Sequence, residues 1–575
     1  MQLKGIDWGI IIAFFIITLL IGLLVSKRAG KSSSEFFLSG RNMPWWLLGV
    51  SMVATTFAAD TPNFVAGIVR QDGIASNWMW WAFLLTGMVT VFIYARLWRR
   101  LGISTDLEFY EIRYSGKAAG FLRGFRAIYL GVFFNIVVMA TVCLAGIKIG
   151  SVMLGLEWWQ TLGITSIITL LYSLLGGLRG VIFTDFFQFI VAMAGSIGAA
   201  YFIINMPEIG GMEGLLSNDL VRSKLDFVPS RANNEELWLG VFIIPLAVQW
   251  WSVWYPGAEP GGGGYIAQRM LSAKDEKHAT LATLFFNLAH YALRPWPWIL
   301  IALASLIIFP TVETMGGLFP ELPPEMVKDD LAYPAMLTYL PAGLLGLVLA
   351  SLISAFMSTI STHLNWGSSY VVNDFYKRFI KKEASEKELV RIGRISTAIM
   401  MVLAVLLSRV LEQAQEGFQL LLSIGAGTGL LFILRWFWKA INPWSEITAM
   451  TVSFLMAAFF FINGKMDNGI AISGHVALIV SVGVTTLSWI IATIATKDPK
   501  YSNPEFEKIA FASEGKFKDM GYKVLSIFLG CIAIYSVLFA TGKYLFGQLD
   551  QCLYFTIAFL LSTAGIVYCW RKIFA

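Results

Sequence analysis

The chain has 575 residues, 57% of them hydrophobic and 14% charged, with a mean hydropathy of +0.67. A soluble domain carries about 25% charged residues, so a soluble enzyme and a disordered chain are both excluded and a polytopic all-α membrane protein is indicated. The formal net charge of +6 does not point to nucleic acid, because Lys and Arg gather in alternate loops, which is the mark of membrane orientation. Cys143, Cys531, Cys552 and Cys569 lie in apolar segments without CxxC spacing, so neither a disulfide framework nor a thiolate metal site is expected.

Hydropathy predicts fifteen spans: 6–26, 45–68, 77–98, 126–154, 158–178, 180–205, 236–258, 281–309, 341–374, 390–409, 413–440, 444–463, 474–497, 524–545 and 551–569. The first lacks a basic n-region beyond Lys4 and a small-residue cleavage site, so it reads as retained rather than as a leader. Basic residues follow spans one (Lys27, Arg28, Lys31, Arg41), three (Arg99, Arg100, Arg113, Lys117, Arg123) and nine (Lys377, Arg378, Lys381, Lys382). The loop 310–340 instead carries Glu313, Glu321, Glu325, Asp329 and Asp330. Lys and Arg mark the cytoplasmic side, which places the N-terminus outside and the C-terminus inside. The expected location is the cell membrane.

The second span should be a plain apolar cylinder, since unsatisfied polar groups cost several kcal/mol in hydrocarbon. Instead Thr55, Thr56, Asp60 and Thr61 fall at its centre beside Ala54, Ala58 and Ala59, and Pro62 cannot donate to the preceding turn. It reads as an interrupted span whose freed carbonyls face a cavity, which is how secondary transporters build midplane sites. Five spans later, Trp254-Tyr-Pro-Gly-Ala-Glu-Pro260 and the glycines 261–264 punctuate the seventh span. Two interrupted spans entering from opposite sides fit a five-plus-five inverted repeat; the glycine run alone fits the plain end of a helix equally well. The expected divisions are 1–44 (extra helix and cytoplasmic loop), 45–205 and 236–440 (the two repeats), 206–235 (external loop) and 441–575 (about four further helices).

In span nine, Ala355, Ser358, Thr359 and Thr362 share one helix face with Ser361 beside it. Such a stripe suits close helix packing or a monovalent cation bound by neutral oxygens. In span six, Asp185 is an intramembrane carboxylate, functional by default unless Arg179 pairs with it near the interface.

Three stretches carry a family resemblance: Glu35-Phe-Phe-Leu-Ser-Gly-Arg-Asn-Met-Pro-Trp-Trp46, Gly176-Gly-Leu-Arg-Gly-Val-Ile-Phe-Thr-Asp-Phe-Phe-Gln188 and Gln268-Arg-Met-Leu-Ser-Ala-Lys274. Together they resemble the signatures of the sodium:solute symporter family, the relatives of sodium-glucose cotransporters. The resemblance implies the leucine-transporter fold preceded by one extra helix, and uptake of a small solute coupled to sodium. It implies a sodium site from the carbonyls of Ala54, Phe57 and Ala355 and the hydroxyls of Ser358 and Thr359. It also implies, as in some members, a second site from Asp185, Ser361 and Thr362 with Ser358 shared. Positions equivalent to Thr56, Asp60 and Thr61 line the solute site of sugar-transporting members. Sodium is then the coupling ion, one or two per cycle, and no organic cofactor is expected.

The solute side is less defined. Trp78, Trp80 and Trp81, with Trp250, Trp251 and Trp254, suit either stacking on a sugar ring or an interfacial belt; Trp81 and Trp251 are candidate solute contacts, and Trp78 reads as belt. Glu259 reads as solvated and Arg435 as snorkelling to the cytoplasm with Lys439. His278, His290, His363 and His475 have no metal spacing. The expectation is a sodium-coupled importer of a sugar or polyol, with an organic acid or amino acid as the alternative solute. A membrane-embedded transferase using His363 is the reading from another class, and a transporter-derived sensor would need a signalling domain for which 498–523 is too short. The partners are then a small solute and the lipid bilayer, with no nucleic acid; the oligomeric state stays open, a monomer included.

Overall fold

The computed structural model describes residues 3–232, 234–252, 259–319, 327–411, 425, 427–466, 469–511, 515 and 517–574. Among the described residues the regular elements are all helices, and the only β-type pairing is two isolated backbone bridges. In chain order we number the helices that matter below: α1 (Gly5–Ala29), α2 (Trp45–Thr55), α3 (Thr61–Asp72), α4 (Ile74–Leu101), α5 (Lys117–Ser151), α6 (Trp158–Ile204), α7 (235–247), α8 (Gly264–Ser272), α9 (Glu276–Ile308), α10 (Leu344–Ile380), α11 (Glu386–Val410), α12 (Gly429–Leu434), α13 (Pro443–Lys465), α14 (Gly474–Ala495), α15 (Pro504–Phe511), α16 (Met520–Leu545) and α17 (Leu549–Ile573).

Eleven helices among the described residues are long and apolar enough to cross a membrane. One of them, α6, has 47 residues, which at about 1.5 Å per residue is roughly twice what a 30 Å hydrocarbon core requires. It divides at Gly177, whose φ of 52° and ψ of −155° leave the helical region. A Cβ there would stand 2.6 Å from the Phe36 carbonyl oxygen, so only glycine lets the loop after α1 pack into the bend. The two halves correspond to spans five and six. The interrupted span two appears as a pair of short helices, α2 with α3; the expected span seven begins as the short helix α7, and α8 follows the glycines beyond it. Residues 253–258, which hold most of the expected breaker run, and 412–424 of the expected eleventh span lie outside the described residues.

Burial sorts the bundle into centre and rim. In the best apolar window of α9 and of α10, 83% of the residues are buried, against 11% in α17 and 17% in α13. The C-terminal helices therefore face lipid, and α9 and α10 are the axis around which the others pack. Hydroxyls do much of the packing on α10: Ser351 donates to the Ala192 carbonyl at 3.0 Å and Ser354 to that of Gln188 at 2.8 Å, bonding α10 to α6. At the start of α10 the buried Asp7 of α1 accepts from the backbone N–H groups of Gly343 and Gly346 at 2.7 and 2.8 Å. An anion there satisfies helix-end donors that hydrocarbon cannot.

Three surface assignments change. Trp78 is not in a belt: it is buried, donates from Nε1 to the Phe227 carbonyl at 2.8 Å and packs edge-on against Trp81 and Phe242. Glu259 is not solvated but buried against Arg126. Arg435 does not snorkel either. It is buried, 3.5 Å from Glu446 and 3.1 Å from the Tyr110 hydroxyl, with its guanidinium over the Phe109 ring. The reasons differ. Glu259 pairs with Arg126 at the wall of a central cavity, whereas the helix end that carries Arg435 is roofed by residues 106–116 and α15, with Phe506 buried between Phe109, Trp436 and Arg113.

Candidate functional site

The site is built on the gap between α2 and α3. α2 stops at Thr55, residues 56–60 are non-helical, and Pro62 sits in the first turn of α3, where its missing N–H is no loss. The gap frees carbonyls that an unbroken helix would pair. The Thr55 carbonyl accepts from the Thr359 hydroxyl of α10 at 3.0 Å, and the Thr56 carbonyl from Nη1 of Arg294 in α9 at 2.7 Å. Thus the two central helices are tied to the gap by polar bonds at the two residues where its backbone opens.

The residues expected to hold sodium fall together here. The Thr359 hydroxyl also donates to the Ala355 carbonyl at 3.0 Å, and the Ala54 carbonyl, one residue before Thr55, accepts from the Phe57 N–H at 3.1 Å. Ser358, adjacent to Thr359, donates to Oδ1 of Asp185 at 2.7 Å. All the donors at this point are neutral oxygens, and Ser358 and Thr359 face α2 and α6 rather than lipid, both being buried. Neutral carbonyl and hydroxyl oxygen is hard-donor chemistry for a monovalent cation.

The residues expected at a second ion site have another occupant. Asp185 is fully buried, and its partner is Arg269 of α8, with Nη2 3.7 Å from Oδ2 and both side chains 0% exposed. Arg179 is elsewhere, stacked over Phe183. The Arg269 guanidinium also donates to the Thr362 hydroxyl at 2.6 Å, to that of Ser51 at 3.3 Å and to Oε1 of Gln268 at 3.1 Å. Ser51 in turn donates to Asp185 at 2.5 Å, and Thr362 is 2.9 Å from the Thr55 hydroxyl. Ser361 turns away to the Ser358 carbonyl at 3.1 Å.

The three signature stretches meet around this pair. Gly177 receives Phe36, Gln268 donates to the Phe37 carbonyl at 3.0 Å, and Met43 pairs through its backbone with Ser272 and Lys274 at 3.2 and 3.0 Å. Their shared role in the fold is to bring Asp185 and Arg269 together.

The gap opens onto a cavity of about 550 Å³, which Thr55 and Thr359 also line, within the range of small-molecule sites. Thr56, Asp60 and Thr61 all line it. Trp81 and Trp251 do not; Trp80 does, one residue along α4, stacked on Tyr291 of α9. Trp81 is buried among aromatic rings behind it. His363 reaches the cavity but is held by Asn135, ring nitrogen to amide oxygen at 2.7 Å and backbone carbonyl to amide nitrogen at 2.8 Å.

The wall that sequence reasoning missed is α9. Thr283, Asn287, His290, Tyr291 and Arg294 all line the cavity. His290 Nδ1 lies 3.0 Å from the Thr56 hydroxyl, and Arg294, buried, approaches His290 Nε2 at 3.4 Å. The signal was in the sequence as a row of polar residues at helical spacing inside an apolar span. A wide turn at Ala289–Leu293, followed by Pro295, turns this row inward.

A profile described as the sodium:solute symporter family matches residues 36–453. Among curated relatives, the sodium/glucose cotransporter of Vibrio parahaemolyticus is 25% identical over 472 residues, 80% of this chain and 85% of that protein. The sodium/glucose cotransporter 1 of Mus musculus is 28% identical over 493 residues, covering 78% of this chain and 70% of its own. A sodium/mannose cotransporter of Bos taurus is 27% identical over 480 residues, covering 77% and 76%. Among solved structures, a substrate-bound, outward-open Na+-coupled sialic acid symporter superposes with a TM-score of 0.69 at 18% identity, over 86% of this chain and 98% of that one. That likeness shows the fold.

Proposed function

Because the chain belongs to the sodium:solute symporter family, a family of multi-pass membrane transporters rather than enzymes, we propose that it imports a small polar solute, a sugar or polyol, on an inward sodium gradient by alternating access. The observation that supports this reading is that the residues expected to hold sodium and those expected to meet the solute adjoin at one gap. The Thr55 carbonyl accepts from Thr359, and Thr55, Thr56, Asp60, Thr61 and Thr359 line one cavity.

Sodium held by the carbonyls of Ala54, Phe57 and Ala355 and the hydroxyls of Ser358 and Thr359 would fix α2 against α10. That in turn sets where Thr56, Asp60 and Thr61 stand in the cavity, so sodium raises solute affinity and, by linkage, solute raises sodium affinity. Release of sodium inward loosens α2 from α10 and lowers the affinity for the solute. With one ion, 100 mV contributes about 2.3 kcal/mol and a tenfold gradient about 1.4 kcal/mol, enough for several hundred-fold accumulation. The five-plus-five repeat, with the N-terminus outside and the C-terminus inside, is the arrangement that lets α2–α3 and α7–α8 rock about this point.

The cavity chemistry favours a hydroxyl-rich solute. The carboxylate of Asp60 can accept from two neighbouring hydroxyls, Thr56, Thr61, Asn287 and His290 offer neutral partners, and Trp80 offers an apolar ring face. One observation favours the second reading, an organic acid or amino acid: Nε of the buried Arg294 has no hydrogen-bond partner among the described residues, and a guanidinium edge is suited to a carboxylate.

Thermal-shift screening of purified protein against sugars, polyols, sialic acid, amino acids and monocarboxylates, in sodium and in potassium, tests the proposal. Stabilisation by a sugar or polyol in sodium alone is expected. Stabilisation confined to carboxylates moves the assignment to the second reading, and equal stabilisation in both salts overturns coupling.

A further inference from the structure

Where α4 ends and α16 begins, on the membrane face that carries the basic loops, two arginines and two lysines line one small pocket. Arg96 and Arg100 stand four residues apart on α4, so they share a face, and both reach Glu276 at the start of α9. Arg100 holds that carboxylate through Nε and Nη2 at 2.8 and 2.9 Å, and Arg96 Nε lies 3.4 Å from it. Lys518 and Lys523 form the opposite wall, with Lys523 donating to the Lys518 carbonyl at 2.8 Å. Residues 512–523 together with Arg96, Arg100 and Glu276 hold five basic side chains against three acidic ones, so positive charge stays in excess however the carboxylates are shared.

The size and surroundings of the pocket say which anion it takes. Its volume of about 20 Å³ holds an oxygen or two, so a ligand enters with one anionic group and leaves its remainder outside. Outside lies the lipid-facing surface of the bundle. Phe517, 65% exposed, stacks on Phe437 beside the pocket, and immediately after Lys523 the side chains of Val524, Leu525 and Phe528 are 40%, 47% and 61% exposed. Cations that adjoin the first exposed apolar turns of a membrane span stand at the depth of the lipid headgroups.

We propose that this pocket binds the phosphate of an anionic phospholipid, with Arg96 and Arg100 on one side of the phosphate and Lys518 and Lys523 on the other. The planar guanidinium forks suit phosphate oxygens, and Glu276 holds both forks in place. A choline headgroup brings a cation of its own, which the excess positive charge repels; a headgroup of net negative charge is therefore selected. Arg96 also donates from Nη1 to the Ile573 carbonyl at the end of α17 at 3.3 Å. A bound phosphate thus ties α4, which carries Trp80 and Thr86 in the cavity wall, to α16 and α17 outside the two repeats. The assignment depends on the membrane setting and not on the identity of the solute or the ion.

The test is the melting temperature of purified full-length protein in detergent micelles titrated with dioleoylphosphatidylglycerol, with dioleoylphosphatidylcholine or with inorganic phosphate. Phosphatidylglycerol should raise Tm with a saturable midpoint, and phosphatidylcholine should not. One cation beside an anionic headgroup is worth about fivefold in affinity. Lys518→Gln with Lys523→Gln should therefore move the midpoint up about 30-fold, while Tm without lipid stays near the wild-type value because neither side chain is buried. Lys27→Gln with Lys31→Gln removes the same charge from exposed positions at the end of α1 on the same face and should leave the midpoint within about twofold. Equal stabilisation by the two lipids, an unmoved midpoint in the Lys518 and Lys523 variant, or an equal shift in the Lys27 and Lys31 variant would overturn the proposal. Full stabilisation by inorganic phosphate alone would overturn it too, because the site would then serve a free oxyanion rather than a lipid.

Discussion

Replacing Thr359 by valine keeps the side-chain shape and removes one oxygen. The threonine's one O–H is shared between the carbonyls of Thr55 and Ala355, each 3.0 Å from the oxygen, and the residue is buried at 4% exposure. Two costs follow. The Thr55 carbonyl, facing a gap with no backbone donor to replace the lost one, forfeits about 1–3 kcal/mol of stability. If Thr359 ligates sodium, the loss of a contact to a charged group costs a further 1.5–3 kcal/mol of binding, or about 10- to 150-fold in sodium affinity. Titration with sodium followed by thermal shift, with potassium as the control cation, separates the two, since the first lowers the melting temperature in both salts and the second moves only the sodium midpoint. Thr359→Ser, which restores the hydroxyl, should recover the midpoint. A folded Thr359→Val protein with the wild-type sodium midpoint would refute the placement of the ion at this gap.

Asp60→Asn should weaken stabilisation by a hydroxyl-rich solute about 10- to 150-fold, the worth of a hydrogen bond to a charged group, with the sodium count unchanged; equal solute affinity in the variant would remove Asp60 from the site. Gly177→Ala should fail to give folded protein in detergent, because φ is +52° and the new methyl would meet the Phe36 carbonyl oxygen at 2.6 Å; a monodisperse, sodium-binding variant would contradict the packing described. In the loop after α4, burial first and the neighbouring Glu259 second push the Asp106 carboxyl up to about 6. The folded state then holds a proton that the unfolded chain has released, so this group's contribution to stability is complete below about 3.8 and is lost as the pH rises through about 6. Melting curves between pH 5 and 7.5 should therefore fall less steeply for Asp106→Asn than for the wild type, and parallel curves would contradict the shift.

How much was legible in the sequence follows from the range over which each signal acts. The interruption of span two was readable because Thr55, Thr56, Asp60, Thr61 and Pro62 are neighbours in the chain and each breaks a rule of hydrocarbon burial locally. The row on α9 was equally local, at helical spacing from Thr283 to Arg294, but an average over the span hid it beneath Trp296, Trp298 and the isoleucines. The partner of Asp185 was not local at all: Arg179 is near in sequence, whereas Arg269 arrives on a separate short helix after the glycine run. Glu259 and Arg435 were misread for a related reason. Hydropathy places a helix end at the membrane surface but says nothing of what packs against it: residues 106–116 and α15 cover Arg435, Arg126 meets Glu259 at the cavity wall, and two expected solvent contacts become buried ion pairs. Trp80 in place of Trp81 is a smaller instance, a rotation of one residue about a helix axis that only packing decides.

The central claim, that one gap couples the ion to the solute, is tested most directly by uptake into proteoliposomes of whichever compound the screen identifies. With sodium outside and potassium within, the internal concentration should overshoot the external one and then collapse when an ionophore dissipates the sodium gradient. Uptake that only equilibrates, at the same rate in sodium and in potassium, would contradict the account.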